Sequence, residues 1–406
     1  MKENREAKRE VAESAMKILI SGAGIAGPTL AYWLAHYGHE PVLIEKAPRL
    51  RSGGYIIDFW GAGFEIADKM GLMPEIRSSG YLVEEVRVVN RSGRRVAGFP
   101  ASAFARATHG RYISLPRGDL AATIFRAIED RVETIFNDSV ARIEQSDASV
   151  RVGLESGGER DFDLVIGADG QHSRVRELVF GEESRFEKYL GYKVAAFQAM
   201  GYRPRDELVY VMYTEVGQQV ARFAMREDRT MFLMVFADPD VHEGERGMAA
   251  QKELLKRRFA NSGWECPRIL EVLDTAGDLY FDRVSQIQME SWSKGRVTLV
   301  GDAASCVSLL AGQGSALAMV AAYLLAGELH RAGGNYAQAF ARYEEIFGPF
   351  VAKKQKMALS FAGTFAPPSK WSMFWRNQVM NLLKVGWVAD WVAGRGLVDK
   401  LTLPEY

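Results

Sequence analysis

The sequence predicts an α/β fold, α+β overall: a Rossmann-like domain, an antiparallel β-sheet domain inserted into it, and a C-terminal helical segment. Three observations carry this. Lys17-Ile18-Leu19-Ile20-Ser21 is a short apolar run ending in glycines, and a helical pattern and a second apolar run, Val42 to Glu45, follow it directly; that is the β-α-β unit of a parallel sheet buried on both faces. From Tyr192 to Asp238 β-branched, aromatic and methionine residues alternate with polar ones, the period of antiparallel strands. At Arg296 to Gly301 a buried strand returns and leads into a long helical pattern, Ser315 to Arg331, so the first topology is interrupted and then resumed.

Taken in order, Met1 to Ala15 is charged and polar, without the apolar stretch of a secretory leader. Ile25 to Tyr37 has apolar residues at helical spacing and Gly38 as its stop. Leu82 to Asn90 reads as a strand, Gly118 to Arg131 as a helix opening with Asp119, and Asp138 to Gln145 with Ala148 to Leu154 as a hairpin. Asp163 to Ile166 is another buried strand. Glu207 to Gln219, Gln219 to Met225 and Met231 to Asp238 are the strands of the inserted sheet. The segment Pro367 to Tyr406 holds Trp371, Trp375, Trp387 and Trp391 in two i, i+4 pairs with Arg376 and Lys384 between them, so amphipathic helices are expected. Docking on the nucleotide-binding domain, capping the substrate entrance, and attachment to a membrane surface both fit; Asp390, Asp399, Glu405 and the lack of a basic cluster favour docking. The expected division is a polar extension 1–15, a discontinuous nucleotide-binding domain 16–176 and 286–365, a sheet domain 177–285 with contributions from about 80–115, and the helical segment 366–406.

Composition excludes several classes. With 51 basic and 51 acidic residues among 406, the net charge is zero, which argues against a nucleic-acid partner. No run of about eighteen apolar residues occurs, so no stable membrane insertion is expected. Cys266 and Cys306 lie far apart and the six histidines are scattered. That pattern predicts neither a disulfide framework nor a metal site, and fits the reducing cytoplasm.

Gly22-Ala23-Gly24-Ile25-Ala26-Gly27 is a GxGxxG fingerprint between a strand and a helix, and Glu45 ends the next strand. Gly22 permits the tight turn, Gly24 lets a pyrophosphate approach the backbone, and Gly27 lets helix and strand pack closely. The N–H groups around Ile25 and Ala26 open the helix toward the phosphates. Glu45, with Lys46 beside it, accepts ribose hydroxyls and repels a 2′-phosphate, which favours FAD or NAD over NADP at this site. A plain glycine turn with a surface glutamate is the alternative.

Two further motifs decide the cofactor: Gly167-Ala168-Asp169-Gly170-Gln171-His172-Ser173-Arg174-Val175-Arg176, and Gly301-Asp302-Ala303-Ala304 continuing to Ala311-Gly312-Gln313-Gly314. With the first fingerprint, their order and spacing from about Met16 to Leu329 resemble the single-component (class A) FAD-dependent aromatic hydroxylases. Gly53-Gly54-Tyr55-Ile56-Ile57-Asp58 and Leu115-Pro116-Arg117-Gly118-Asp119-Leu120 resemble in particular the branch with the tetracycline-inactivating monooxygenases. The resemblance implies a para-hydroxybenzoate hydroxylase-like fold and tightly held, non-covalent FAD. It implies contacts from Asp302, Gly312, Gln313, Gly314, Asp169, Gly170, Gly54, Arg117 and, less directly, Arg51. Arg174 and Arg176 stand as phosphate contacts or as a solvated helix face. The sequence departs from the family at Ser305 to Leu310, where His and a Pro pair are usual, and at Ala316, where Asn is usual.

The resemblance also implies the reaction: NAD(P)H, bound transiently, reduces FAD, dioxygen forms a flavin C4a-hydroperoxide, and an oxygen atom passes to an aromatic or polycyclic small molecule. An FAD-dependent reductase or dehydrogenase without oxygen insertion is the alternative. No side-chain nucleophile or catalytic base is assigned. Asp58, His109 and His172 stand as aids to proton transfer, and Cys306 as a buried neutral residue. Phe197, Met200, Met212, Phe223, Met225, Phe232, Met234 and Phe236 are the candidate substrate-lining residues, most of them expected to fill core; Phe197 and Met200 differ in strand parity, so at most one faces the pocket. Monomer and homodimer are both open.

Overall fold

The computed structural model describes residues 15–51, 53–239, 247–309, 312–384 and 401–406. A six-stranded sheet runs in the order Ser293–Lys294, Val297–Leu299, Leu164–Gly167, Lys17–Ser21, Glu40–Glu45, Glu133–Phe136. All its neighbours are parallel except the terminal Ser293–Lys294 pair. Ile18, Leu19, Ile20, Leu164, Val165 and Val297 are wholly buried, which is why these strands read as continuous apolar runs instead of alternating ones. The helices Ala26–His36 and Gly314–Arg331 pack on each other and share this core. Every residue from Ala316 to Leu329 is buried, so this helix is apolar nearly all round. Its one buried acid, Glu328, is answered by Arg331 at 3.0 Å and by the Tyr406 hydroxyl at 2.8 Å.

The second sheet has seven strands, ordered Tyr280–Ile287, Glu187–Met200, Arg229–Ala237, Gln218–Ala224, Val209–Glu215, Glu85–Val89, Arg95–Pro100. It is antiparallel except where Glu85–Val89 joins Val209–Glu215. The helices Met248–Phe259 and Cys266–Thr275 cover one face, burying Phe197, Phe232, Met234 and Phe236 against Leu255, Phe259 and Ile269. The other face, with Ala196, Phe223 and Met231, meets Tyr55 and Tyr81. Tyr55 leads into a two-stranded ribbon, Ile56–Trp60 with Tyr112–Pro116.

Several elements differ from the sequence reading. The first long strand of the second sheet begins at Glu187, not Tyr192, and Tyr280–Ile287 is a further strand beside it. The helix read as Gly118 to Arg131 ends at Arg126; Glu129 and Asp130 would have put negative charge at the negative end of a helix dipole. The hairpin is present as Val140–Gln145 and Val150–Leu154, extended by Glu159–Phe162. The helix Lys370–Leu382 carries Trp371 and Trp375, starts with a capping box at Ser369 and Ser372, and packs on the strand Arg95–Pro100 of the second sheet instead of on the nucleotide-binding domain, with Asn381 donating to the Val96 carbonyl at 3.3 Å. Trp387, Trp391 and the polar extension up to Ser14 lie outside the described residues.

Candidate active site

The glycine loop is built on steric necessity. Gly22 has φ +109, and a Cβ there would lie 2.6 Å from the Ala168 carbonyl oxygen. A Cβ on Gly27 would lie 1.9 Å from the Gly22 carbonyl oxygen, so only glycine lets the helix start this close to the strand. A Cβ on Gly24 would meet only Arg117 Nη2, at 3.6 Å. Glu45 braces this loop: Oε2 accepts the Ala23 N–H at 2.8 Å and Oε1 the Ala47 N–H at 2.9 Å. An ionised carboxylate offers about four acceptor positions, so two remain for hydroxyls. Lys46 and Arg51 are exposed at the margin.

Arg117 follows the ribbon strand Tyr112–Pro116, and its N–H donates to the Tyr55 carbonyl at 3.0 Å. Its half-buried guanidinium has no hydrogen bond or ion pair among the described residues. A cation enclosed without a partner is costly unless an anion completes the site. Gly24, Gly54 (where an added Cβ would lie 3.7 Å from Arg117 Cβ) and Asp302 surround it. Asp302 opens the short helix Asp302–Ser305; burial pushes its carboxyl above the usual range, against the pull of Arg117. A Cβ on Gly314 would lie 3.8 Å from Asp302 Oδ1. Gln313 precedes the helix Gly314–Arg331, whose first N–H groups have no side-chain cap, and a Cβ on Gly312 or Gly170 would meet nothing within 4 Å. An unpartnered arginine, an uncapped helix N-terminus and open space at Gly24, Gly170 and Gly312 fit an FAD molecule laid along this cradle.

The second motif turns out to be structural in large part. Asp169 accepts from the Ser173 hydroxyl and from the Val175 N–H at 3.1 Å, holding the start of the helix Arg174–Phe180; burial raises its pKa. Arg176 is wholly buried and donates to the Ala303 carbonyl (3.0 Å), the Gln171 carbonyl (2.6 Å) and Glu183 (2.9 Å). It rivets this motif to the Asp302 segment and reaches no open space, while Arg174 pairs at the surface with Glu177. His172 lies between Glu183 (2.9 Å) and Asp282 (3.2 Å), which raise its pKa to about 10. His109 is exposed in a turn at φ +51. The Cys306 thiol is buried and held well above its usual range, a neutral filler. Gly63 packs so closely on Ala316 that a Cβ would come within 2.5 Å of it; this small–small contact accompanies the alanine that stands in place of the family's asparagine.

Beside the cradle, the bare face of the seven-stranded sheet forms a narrow cavity walled by Tyr55, Ile56, Tyr210, Phe223, Met231 and Leu233, with Ala221 and Arg222. The Arg222 guanidinium turns away to Glu265 and Asp206 on the helix side. Of the eight residues read as lining, Phe223 lines this cavity, Met225 packs in the same cluster, and Met212 pairs with Ala221 on that face. Phe197, Phe232, Met234 and Phe236 point to the covering helices, and Met200 is 67% exposed at a strand end. Alternation decides this: Met231, Leu233 and Val235 take one face, so Phe232, Met234 and Phe236 take the other. Tyr55, Tyr210, Met231 and Leu233 escaped the sequence reading, although Tyr210 shares the parity of Met212. Tyr55 joins the two regions; its ring is 5.5 Å from Tyr280, and Arg117 and Asp302 both act on its hydroxyl, which burial pushes up to about 12. A separate cavity of about 610 Å³ is walled by Lys188, Glu290, Trp292, Ser305, Glu344 and Gln355 among others.

A parallel sheet with a glycine loop, an acid ending the second strand and a long helix aimed back at the loop defines a dinucleotide-binding enzyme fold. Residues 15–346 match the family described as FAD binding domain, and the chain belongs to that family. It is 38% identical over 350 residues to a flavin-dependent monooxygenase from an unknown prokaryotic organism, covering 86% of this chain and 90% of the relative. It is 30% identical over 424 residues to the FAD-dependent monooxygenase asL4 of Sarocladium schorii, covering 96% and 98%. Among solved structures it is similar to the tetracycline destructase Tet(51), with a TM-score of 0.82 and 34% identity over 97% of this chain and 100% of that one. It is thus a class A FAD-dependent monooxygenase that uses NAD(P)H and dioxygen.

Proposed function

We propose that this enzyme oxygenates an aromatic or polycyclic small molecule held in the Tyr55–Tyr210–Phe223 cavity, with FAD along the Arg117 cradle. The observation that carries this is the junction itself: Tyr55 belongs both to the cavity wall and to the surroundings of Arg117 and Asp302. Bound FAD supplies hydride acceptance and oxygen activation, chemistry that no side chain provides.

The chain's own residues bind, orient and exclude water. Gly24, Ile25, Ala26 and Gly27 would present backbone N–H groups to the pyrophosphate, next to Gly22, whose own N–H is taken by the Ile44 carbonyl at 2.7 Å, and Arg117 would neutralise it. Glu45 holds the ribose, with Lys46 and Arg51 at its margin. Asp302, with Gly54, Asp169 and Gly170, lines the stretch toward the ring. Gly312, Gln313 and Gly314 offer a helix N-terminus to the ring's carbonyl edge, where negative charge is stabilised. Residues 16–176 and 286–365 form the FAD-binding part. Residues 177–285, with strands from about 80–115, form the substrate sheet, and the C-terminal helix Lys370–Leu382 lies against its strand Arg95–Pro100. The free, buried Cys266 and Cys306 support a cytoplasmic setting, and among the described residues no helix is long and apolar enough to cross a membrane.

The test is NAD(P)H consumption by the FAD-loaded protein over a panel of hydroxylated aromatic and polycyclic compounds under isotopically labelled dioxygen. Substrate-stimulated consumption with one labelled oxygen in the product is expected. Product formed without label would overturn the reading.

A further inference from the structure

The helix Lys370–Leu382 is amphipathic in the sense opposite to that of a helix facing water. Its polar residues Arg376, Asn377 and Asn381 turn toward the protein. Arg376 donates to the Thr214 hydroxyl at 3.2 Å, to the Thr364 carbonyl at 3.1 Å and to the Asn377 side chain at 2.8 Å, and Asn381 donates to the Val96 carbonyl at 3.3 Å. Its large apolar residues Trp371, Phe374, Trp375, Val379 and Leu382 turn outward, each between 48% and 68% exposed. Spaced three and four apart, they form one stripe, interrupted only by the exposed Gln378. The three rings pack on one another, with 5.7 Å between Trp371 and Trp375 and between Phe374 and Trp375, and 5.9 Å between Trp371 and Phe374. An exposed apolar patch of this kind marks a surface that meets something other than water.

Charge identifies the partner. From Ile346 to Ala389 the sequence holds Lys353, Lys354, Lys356, Lys370, Arg376 and Lys384 and no acid, in a chain whose net charge is zero. Lys370 stands in the first turn of the helix, where the dipole favours an acid, and Lys384 follows the last turn; both are exposed and flank the stripe. Neither they nor Arg376 has an ion pair among the described residues. Glu405, an acid of the same C-terminal stretch, is committed to Lys69 at 2.8 Å. The cations are spread along the chain instead of clustered, which is why the sequence favoured docking on the protein.

We propose that this helix lies in the plane of an anionic lipid bilayer and seats the enzyme on the membrane surface. The rings of Trp371, Phe374 and Trp375 enter the headgroup boundary, and Lys370 and Lys384 meet lipid phosphates. Aromatic and aliphatic residues on one face with flanking cations are the composition of in-plane helices, and each cation adds attraction to anionic headgroups. A second copy of the chain fits less well: a two-fold contact would bring these cations together with no acid to answer them. Attachment is peripheral, since among the described residues no helix is long and apolar enough to cross a membrane. The helix packs on the edge strand Arg95–Pro100, so it is the substrate sheet that stands nearest the lipid. The proposal goes beyond the oxygenation reading and does not depend on it.

The experiment floats the full-length, FAD-loaded protein with vesicles of phosphatidylcholine alone or mixed with phosphatidylglycerol. Binding to the anionic vesicles is expected to be roughly tenfold tighter or more, from two exposed cations, and to weaken as salt is added. Brominated acyl chains in the anionic vesicles should quench tryptophan fluorescence. The double variant Trp371→Ser, Trp375→Ser should lose flotation and quenching, and Lys370→Gln with Lys384→Gln should lose the anionic preference. Both should keep the flavin content and melting temperature of the parent, because the altered side chains face outward. Several results overturn the proposal: no flotation with either vesicle, flotation or quenching that survives the tryptophan variant, or an anionic preference that survives the lysine variant. A clearly lower melting temperature in the tryptophan variant would show that the chain itself covers these rings, and a dimer in sedimentation that the variant dissolves would show that a second copy does; either also overturns it. None of these results bears on label incorporation, so the monooxygenase reading stands or falls separately.

Discussion

Gly27 and Arg117 make opposite demands on the nucleotide loop. Gly27 is fixed by exclusion: a methyl group would collide with the Gly22 carbonyl and press on Leu43. Gly27→Ala should therefore yield protein that carries little or no FAD and melts earlier, read from the flavin-to-protein absorbance ratio and a thermal scan. Arg117 is fixed by what is missing. Replacing it with methionine removes an enclosed, unpaired cation, so Arg117→Met should weaken FAD binding in a titration while leaving the apo-protein as stable as before or more so; a less stable apo-protein would show that the arginine is structural. The glycines were legible in the sequence because their constraint is local in the chain. Arg117 was legible only by resemblance. The surroundings of Asp58, which the sequence offered only as an aid to proton transfer, were not legible, since its partners Tyr112 and Ser114 lie 54 and 56 residues further on and only folding brings them together.

Strands and their faces set the next limit. The inserted sheet was visible from its texture, but which face held substrate was not, because both faces are apolar: helices cover one and the cradle side covers the other. Phe232 and Phe223 looked alike and have different neighbours. Phe232→Ala should cost about 3–5 kcal/mol of stability as a core truncation and leave substrate KM little changed. Phe223→Ala should raise KM more clearly, and thermal melts with steady-state kinetics separate the two. His172 couples elements: Glu183 follows the helix Arg174–Phe180, and Asp282 belongs to the strand Tyr280–Ile287. Its folded pKa, about 10, lies above the ordinary 6.5. The stabilisation is thus complete below about 6.5 and is lost as pH rises through about 10. The stability gap between the native protein and His172→Gln should be widest in mild acid and close in alkali. The ring is half exposed, so the gap will be modest.

For the whole molecule, the order of the six strands matters most. Arg176 and His172 tie the nucleotide sheet to the segment after the inserted sheet and to the inserted sheet itself. FAD at about a hundred times its Kd should add about 2.7 kcal/mol of stability and shift a single melting transition; two transitions with only one shifted would disprove that unity. The return of the first topology at Arg296 was readable because buried parallel strands share a signature wherever they fall. The seating of Tyr406 against Gly327 and Glu328 was not, since nothing local marks it. The strand order also imposes a timetable on synthesis. Leu164–Gly167 leaves the ribosome early, yet its second neighbour, Val297–Leu299, and the helix Gly314–Arg331 emerge only after the entire inserted sheet. Until then the nascent chain holds an unpaired apolar strand edge, the kind of surface that chaperones shield. Flavin capture must therefore come late in translation or after it, and a stalled or truncated chain should be colourless.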